Sequence, residues 1–218
     1  MSNKTILVIN PNSTESMTRG IDAACEPLRI AGGPAIETAT LKEGPPGIET
    51  QQHVDGLIAP LVSFVRKQEK EYDAFVIACY SDPGLQLCRE GTTRPVFGIA
   101  ECGVLTALAR AERFGVIAIR QRSIGRHLRY LRQMGLVERF AGERPLEMSV
   151  AESAGSGTLE RLIEVGRELK KDGAEAIILG CAGMARHRRP LEDALGVSVI
   201  DPTQAAVTMA LGAVQLAR

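Results

Sequence analysis

The chain has 218 residues, of which 44% are hydrophobic and 24% charged, and its 26 Lys and Arg residues balance its 26 Asp and Glu residues. A net charge of zero creates no long-range attraction for nucleic acid or for an anionic membrane surface, so neither partner is predicted. No run approaches the roughly 18 apolar residues of a membrane span, and the apolar run near the N-terminus is too short for a signal peptide, so we expect a cytoplasmic protein.

Short runs rich in β-branched residues predict buried strands, and amphipathic stretches between them predict helices. The predicted strands are residues 6–10, 74–79, 96–100, 114–119, 176–181 and 197–201. The predicted helices are residues 51–70, 101–112, 123–134, 157–172 and 203–217. Continuously apolar strands that alternate with helices are typical of parallel sheets covered on both faces. The sequence therefore predicts an α/β fold.

The order of these elements repeats in the second half of the chain. YDAFVIACYSDPG (72–84) is echoed by GAEAIILGCAGMA (173–185), and RPVFGIAECGVLTALA (94–109) by GVSVIDPTQAAVTMAL (196–211). We predict two similar doubly wound halves, each a parallel sheet flanked by helices, related by a pseudo-twofold with the active site in the cleft between them. The first half is residues 1–100 plus 203–218, because the last helix is expected to pack back on it. The second half is residues 101–202.

Cys79 and Cys181 stand at the ends of corresponding strands in the two predicted halves. Ligands of parallel α/β sheets bind at the carboxyl ends of the strands, so we expect both thiols to face one cleft. The turn residues that follow each cysteine predict backbone N–H groups and a helix N-terminus that lower the thiol pKa. A thiolate and a thiol on opposite faces of a carbon acid are the base and the acid that inversion of a stereocentre requires. The other cysteines are predicted to be buried and reduced: Cys25, Cys88 and Cys102.

Four motifs together resemble the hydantoin/allantoin racemase branch of the aspartate/glutamate racemase superfamily. They are VINPNSTESMT (8–18), CYSDPG (79–84), GIAE (98–101) and LGCAGM (179–184), in this order along nearly the whole chain. The resemblance implies a racemase that needs no cofactor and uses Cys79 and Cys181 as its catalytic pair. It also implies a small-molecule substrate and a homo-oligomer.

The loop after the first strand favours a neutral ring as the substrate. The resemblance implies that this loop reaches the substrate through Asn10 and Ser13. Amino-acid racemases of the superfamily usually carry an aspartate there, in an Asp-Ser-Gly motif, and an amide in its place argues against a free amino acid. We therefore expect a hydantoin substituted at C5, or allantoin. The residues NPNST also fit an ordinary turn and helix N-cap.

Further substrate contacts are expected beside the cysteines and in one loop. Backbone N–H groups of the two turns suit an oxygen anion that develops on a substrate, and the residues concerned are Tyr80, Ser81, Ala182 and Gly183. The resemblance implies that the loop 42–50 approaches the substrate through Ile48, although this loop also fits a simple connection.

The chain departs from the racemase branch where the second half begins. Ala118-Ile119 stands where the branch commonly has two threonines, and Arg120 follows. A guanidinium there suits a ureide or a carboxylate, although an arginine at a strand end also fits plain solvation.

Other charged residues receive simpler interpretations. The spacing of Arg122, Arg126 and Arg129 predicts a solvent-facing stripe opposite Ile124, Leu128 and Leu131. RHRR (186–189) is interpreted as a charged loop. The histidines lack ligand spacing, so no metal site is predicted; they are His53, His127 and His187.

Alternative functions stay open. A maleate cis-trans isomerase of the same superfamily uses one cysteine as a nucleophile together with carboxylate-binding donors, which Arg120 favours and the two cysteines disfavour. An Asp/Glu racemase is a second alternative. A non-catalytic module that binds a small molecule is a third, because a fold does not fix a function, but it leaves two activated thiols without a task.

Overall fold

In the computed structural model, the described residues are 4–153 and 157–216. The strands in these ranges form two parallel sheets of four strands each. The first sheet contains β1 (Thr5–Asn10), β2 (Ala35–Thr40), β3 (Ala74–Ile77) and β4 (Val96–Gly98). The second sheet contains β5 (Phe114–Ala118), β6 (Phe140–Pro145), β7 (Ala176–Leu179) and β8 (Ser198–Ile200). The predicted α/β class is confirmed.

Helices connect the strands and cover both faces of the sheets. Those before the second sheet are α1 (Glu15–Cys25), α2 (Gln51–Gly56), α3 (Ile58–Gln68), α4 (Leu85–Gly91) and α5 (Ile99–Leu108). Those after β5 are α6 (Gln121–Gln133), α7 (Val150–Ser153), α8 (Thr158–Lys171), α9 (Arg188–Leu195) and α10 (Pro202–Leu216). Short 3₁₀ helices cover Glu26–Leu28, Val137–Arg139 and Ala182–His187. Within the described ranges, no helix combines the length and the apolarity needed to cross a bilayer.

Both sheets follow the same strand order. The first runs β2-β1-β3-β4 and the second runs β6-β5-β7-β8. The register pairs Val8 with Val76 in the first sheet and Val116 with Ile178 in the second. In each half, the second strand is added on one side of the first strand and the third strand on its other side. This change of side opens a crevice at the carboxyl ends of the two central strands. The repeat confirms the predicted pair of similar halves.

The sequence analysis missed β2 and β6, each of which is one of the two edge strands of its sheet. Their sequences are AIETAT and FAGERP, and most of their residues are only half-buried. Both strands are partly solvated, so they lack the continuous apolar run that marks a buried strand. The opposite edge strands, β4 and β8, are mostly buried and were predicted.

The predicted charged loop at residues 186–189 is wrong, because residues 186–187 end a 3₁₀ helix and Arg188 begins α9. Two leucines four positions apart, Leu191 and Leu195, are buried in that helix. This spacing places both leucines on one helical face, and their burial holds the short helix on the second sheet. The positively charged residues at the start of α9 favoured a loop in the sequence analysis, so this apolar stripe was missed.

One apolar core lies between the two sheets. It joins Val8 and Val76 of the first sheet to Val116 and Ile178 of the second, and it includes residues of α5 and α10 such as Val207. Burial of each such side chain contributes about 1.5–3 kcal/mol. The halves therefore share an interior rather than meeting as two separate globules.

Alternate residues of the central strands point to two outer cores. Leu7 and Ile9 pack under α3, and Ile117 packs under α8. The last helix, α10, contacts β1, β3 and β4 of the first sheet as well as α5. The division into residues 1–100 plus 203–218 and residues 101–202 stays a prediction.

Candidate active site

The central strands deliver both cysteines to one end of the molecule. β3 ends at Ile77 and β7 ends at Leu179, and in each case a cysteine follows two positions later, Cys79 and Cys181. Both thiols line one pocket at the carboxyl ends of the central strands. Its empty volume is about 590 Å³, which includes the open mouth, and this suits a small organic ligand.

Nine of the ten predicted site residues line this pocket. They are Asn10, Ile48, Cys79, Tyr80, Ser81, Arg120, Cys181, Ala182 and Gly183. Ser13 does not belong to the lining, and its backbone N–H donates to the carbonyl oxygen of Pro45 at 3.0 Å. The lining residues that sequence reasoning missed include Asn12, Met17, Ile21, Glu49, Ile119, Ser123, Arg126, His127 and Val150.

Asn10 is fully buried, and its side-chain amide forms hydrogen bonds with residues of its own loop and of α1. Its Nδ2 donates to Asn12 Oδ1 and to Thr18 Oγ1, each at 3.0 Å, and its Oδ1 accepts from the Asn12 backbone N–H at 3.2 Å. Thr14 Oγ1 of the same loop donates to the carbonyl oxygen of Pro46 at 2.8 Å. The loop 42–50 is thereby held against the first loop, and Ile48 forms part of the pocket wall.

Gly180 permits the close approach that positions Cys181. A Cβ atom at this residue would lie 2.6 Å from the carbonyl oxygen of Ile117. Because that oxygen belongs to the neighbouring strand β5, only glycine lets the end of β7 pack so tightly. Gly180 is thus required for the backbone packing that positions the next residue, Cys181.

The Cys79 thiol lies in a turn and accepts a hydrogen bond from the backbone N–H of Ser81. Burial raises the pKa of Cys79 to about 12, with smaller contributions in the same direction from the nearby Asp82 and Cys181. The Ser81 N–H and the Arg126 guanidinium act in the opposite direction.

Cys181 is the N-cap of the 3₁₀ helix Ala182–His187, and its Sγ accepts from the backbone N–H of Gly183 at 3.4 Å. The hydroxyl of Ser153 lies 3.9 Å from the same sulfur. Burial raises the pKa of Cys181 above its usual value, although the Gly183 N–H and the Ser153 hydroxyl lower it. The predicted lowering of both thiol pKa values is therefore wrong, because the desolvation of a thiolate outweighs these donors.

Asp82 of the motif CYSDPG stabilises a helix other than the one that follows it. Its carboxylate accepts the backbone N–H groups of Ala100 and Glu101, at 2.9 and 2.8 Å, at the start of α5. A Cβ atom at Gly98 would lie 2.3 Å from this carboxylate. Burial raises the pKa of Asp82 to about 7. The turn that carries Cys79 is thus fixed to α5.

The predicted solvent stripe of α6 is wrong for Arg126. The buried residues of this helix are Ser123, His127 and Leu131, so the apolar side lies about one position from where the leucine spacing placed it. Arg126 is half-buried beside them and its Nε donates to Ser81 Oγ at 2.9 Å. Arg122 is exposed, as predicted.

His127 pairs with a carboxylate behind the pocket wall. Its Nδ1 lies 2.6 Å from Oε1 of Glu143, whose side chain has no solvent exposure. The ring of Tyr80 meets the imidazole edge-on, with 5.1 Å between the ring centroids. Sequence reasoning missed this pair because Glu143 lies on the unpredicted strand β6.

Arg120 lines the pocket opposite a carboxylate. Its Nε lies 3.7 Å from Oε2 of Glu49, and Glu49 Oε1 accepts the backbone N–H of Val150 at 3.2 Å. The Arg120 Nε is buried and forms no hydrogen bond with any described residue. The Glu49 charge partly neutralises this arginine, which weakens the sequence argument for a site that binds a substrate carboxylate.

Among the described residues, no cluster of three or more His, Cys, Asp or Glu side chains could hold a metal ion.

Comparisons with known proteins identify racemases as relatives of the chain. A family model described as Asp/Glu/Hydantoin racemase matches residues 6–210. The chain is 38% identical to the hydantoin racemase of Paenarthrobacter aurescens, over 97% of this chain and 91% of the relative. It is 39% identical to the hydantoin racemase of Pseudomonas sp. (strain NS671), over 98% and 87% of the two chains. The solved structure of the allantoin racemase from Klebsiella pneumoniae has a TM-score of 0.92 and 34% identity, and the match covers 98% of this chain and 88% of that one.

Proposed function

The chain belongs to the Asp/Glu/hydantoin racemase family, and we propose that it inverts the C5 stereocentre of a 5-substituted hydantoin or of allantoin without a cofactor. Relatives named hydantoin racemase and a structural neighbour named allantoin racemase support this substrate class. The observation that carries the proposal is that Cys79 and Cys181, which follow corresponding strands of two similar sheets, line the same pocket.

Two thiols are sufficient for this reaction. The C5 proton of a hydantoin is acidic because the electron pair left behind delocalises onto the adjacent ring carbonyl. One cysteine, as a thiolate, takes the proton from one face of the ring. The other cysteine, as a thiol, returns a proton to the opposite face, and the two sulfurs exchange roles for the reverse direction.

The raised pKa of Cys79 has a consequence for this mechanism. Because burial raises the pKa of Cys79 to about 12, its reactive thiolate is a minor species at neutral pH. Once formed, a thiolate of high pKa is a strong base, which suits the removal of a proton from carbon. The N–H groups of Ser81 and Gly183 orient the two sulfurs and offset part of the cost of the charge.

Other lining residues are proposed to bind the substrate. The residues beside the two cysteines are proposed to contact the ring, and they are Tyr80, Ser81, Ala182 and Gly183. Asn10 and Ile48 form the wall on the first half, so they are proposed to contact the ring. Arg120 and Glu49 together offer a donor and an acceptor, which suits a polar C5 substituent such as a ureido group. Ser13 is left out because it does not line the pocket.

The experiment follows the circular dichroism of optically pure 5-substituted hydantoins and of allantoin with purified protein and no added cofactor. We expect decay of the signal with the wild type and a loss of at least about 1,000-fold for Cys79→Ala and for Cys181→Ala, because general acid and general base each contribute roughly 10²–10⁴. Cys88→Ala is the matched control, since Cys88 is buried in an outer core away from the pocket. Wild-type racemisation in either pocket variant would reject the two-thiol mechanism.

The homo-oligomer and the cytoplasmic location stay predictions. Sedimentation equilibrium of the purified protein tests the first, and fractionation of the source cells tests the second.

A further inference from the structure

Arg126 reaches the pocket from the second half and is anchored beside Cys79. Its Nε donates to the Ser81 hydroxyl at 2.9 Å, and Ser81 also directs its backbone N–H at the Cys79 thiol. One residue therefore fixes both the sulfur and the guanidinium. Arg126 and Cys79 line the same pocket.

The outer nitrogens of Arg126 are available to a ligand. In the described part of the chain, no residue accepts a hydrogen bond from its Nη1 or Nη2, and neither atom is among the fully buried polar atoms that lack a partner. Since Arg126 lines the pocket, these donors are accessible from it. A guanidinium anchored through Nε presents its two outer N–H groups as a rigid fork.

Arg126 also differs from the other charged residues of the pocket. Arg120 faces Glu49 at 3.7 Å, and His127 faces the Glu143 carboxylate at 2.6 Å. For Arg126, no carboxylate of the described residues lies within 4.0 Å of a guanidinium nitrogen, and Glu143 attracts it only from a greater distance.

Burial strengthens the interaction of the Arg126 cation with an anion in the pocket. Burial lowers the pKa of Arg126, but a guanidinium stays charged at neutral pH. A charge with few water molecules around it interacts more strongly with an anion than the same charge in bulk water does. The pocket thus holds a fixed positive charge next to one of its two sulfurs, and no protein anion is paired with it at close range.

We propose that Arg126 is a catalytic residue that donates hydrogen bonds to the ring carbonyl next to C5 and stabilises the negative charge that develops on its oxygen. This inference rests on the proposed function. When the C5 proton passes to a thiolate, the C–H electron pair moves into the ring and the carbonyl oxygen gains the charge. When the opposite thiol protonates C5, the C–H bond forms again and the oxygen returns to neutrality. Arg126 transfers no proton in either step.

The test compares Arg126→Met and Arg126→Lys with Arg122→Met. Arg122 is exposed on the preceding turn of the same helix, so its variant controls for the loss of a positive charge from α6. Loss of a donor to a developing oxyanion costs about 10²–10³ in kcat, and we expect this loss for Arg126→Met with KM changed by less than about fivefold. Arg126→Lys should retain part of kcat, and Arg122→Met should stay within about twofold of the wild type.

Chemical rescue separates a catalytic role from a structural one. Millimolar guanidinium chloride should raise the kcat of Arg126→Ala at least about tenfold, and equal sodium chloride should not. A kcat of Arg126→Met within threefold of the wild type, a loss confined to KM, or the absence of rescue in a folded Arg126→Ala variant overturns the inference.

Two further measurements keep the inference testable if the methionine variant does not fold. The kcat values of Arg126→Lys and Ser81→Ala then test the inference. Ser81→Ala keeps the guanidinium and removes the hydroxyl that anchors it. A kcat lowered about tenfold supports the inference, and an unchanged kcat overturns it. The Cys79→Ala and Cys181→Ala variants report on the proposed function separately. If they are inactive while Arg126→Met is fully active, the inference about Arg126 alone fails.

Discussion

Cys79 and Cys181 occupy matching places in two sheets of the same strand order, but their surroundings differ. Near Cys79, Asp82 adds to the effect of burial on the thiol pKa, and the cation Arg126 opposes it. Near Cys181, the charged groups are the anions Asp201 and Glu49, and both raise the thiol pKa. The repeated backbone places two sulfurs in one pocket, whereas the side chains around them give the pocket two distinct sides.

This asymmetry matters for a chiral ring. A pocket with two equivalent sides would bind the ring equally well after a half turn. A cation on one side favours a single orientation, in which the carbonyl that gains charge points at Arg126. Each sulfur then always meets the same face of the ring, so each should act on one enantiomer.

The strongest test of this difference between Cys79 and Cys181 is to remove one sulfur at a time. Cys79→Ser and Cys181→Ser should each lower racemisation by at least about 1,000-fold, because a serine hydroxyl is a poor acid and a poor base at neutral pH. The remaining thiol should still exchange the C5 proton for deuterium with retention of configuration. Proton NMR in deuterium oxide should show that the two variants exchange opposite enantiomers. Exchange of the same enantiomer by both variants would contradict two opposed sulfurs.

The pH dependence of racemisation tests the raised thiol pKa. Because burial raises the pKa of Cys79 to about 12, and that of Cys181 above its usual value, the thiolate fraction of the free enzyme increases about tenfold per pH unit through neutrality. We expect kcat/KM to increase by about 100-fold from pH 6 to pH 8, after the uncatalysed rate is subtracted. A plateau below pH 8 would mean that a thiol pKa is lowered in the working enzyme.

The central parts of both sheets were predictable from sequence because a strand buried on both faces leaves a continuous apolar run. The runs at 74–79 and 176–181, each ending in a cysteine, thus predicted central strands of the fold and the two cysteines that line the pocket. The edge strand β6 left no such run, and its Glu143 was missed along with the histidine that it contacts.

Arg126 shows a second limit of structure prediction from sequence. The face that a helix buries depends on the element that packs against it, and in α6 the buried stripe contains Ser123 and His127. Polar residues in a buried stripe do not contribute to an apolar period. The sign of the thiol pKa shift was missed for a related reason, since the turn residues reveal the donors around Cys79 but not the desolvation that outweighs them.

The smallest expected effect concerns Asp82, which connects the Cys79 turn to α5. The second half lacks this arrangement, because α10 is capped by the residue directly before it, Asp201, whose Oδ1 accepts from the Gln204 N–H at 2.7 Å. Asp82→Ala should therefore cost about 0.5–2 kcal/mol of stability, as expected for the loss of a helix cap. It should also disturb Cys79 more than Cys181. Chemical denaturation and the rates of thiol modification measure these two effects.

The pH dependence of stability isolates the Asp82 carboxyl group. Burial raises its pKa in the folded state to about 7, so between pH 4 and pH 7 the folded protein holds a proton that the unfolded chain has released. The stability that this group contributes is complete below the unfolded pKa and is lost as the pH rises through 7. Asp82→Asn cannot titrate there, so the unfolding free energy of the wild type minus that of Asp82→Asn should decrease from pH 4 to pH 7. A difference that increases over this range would instead mean that the two N–H groups of α5 hold the carboxylate ionised, and that Asp82 carries a full negative charge beside Cys79.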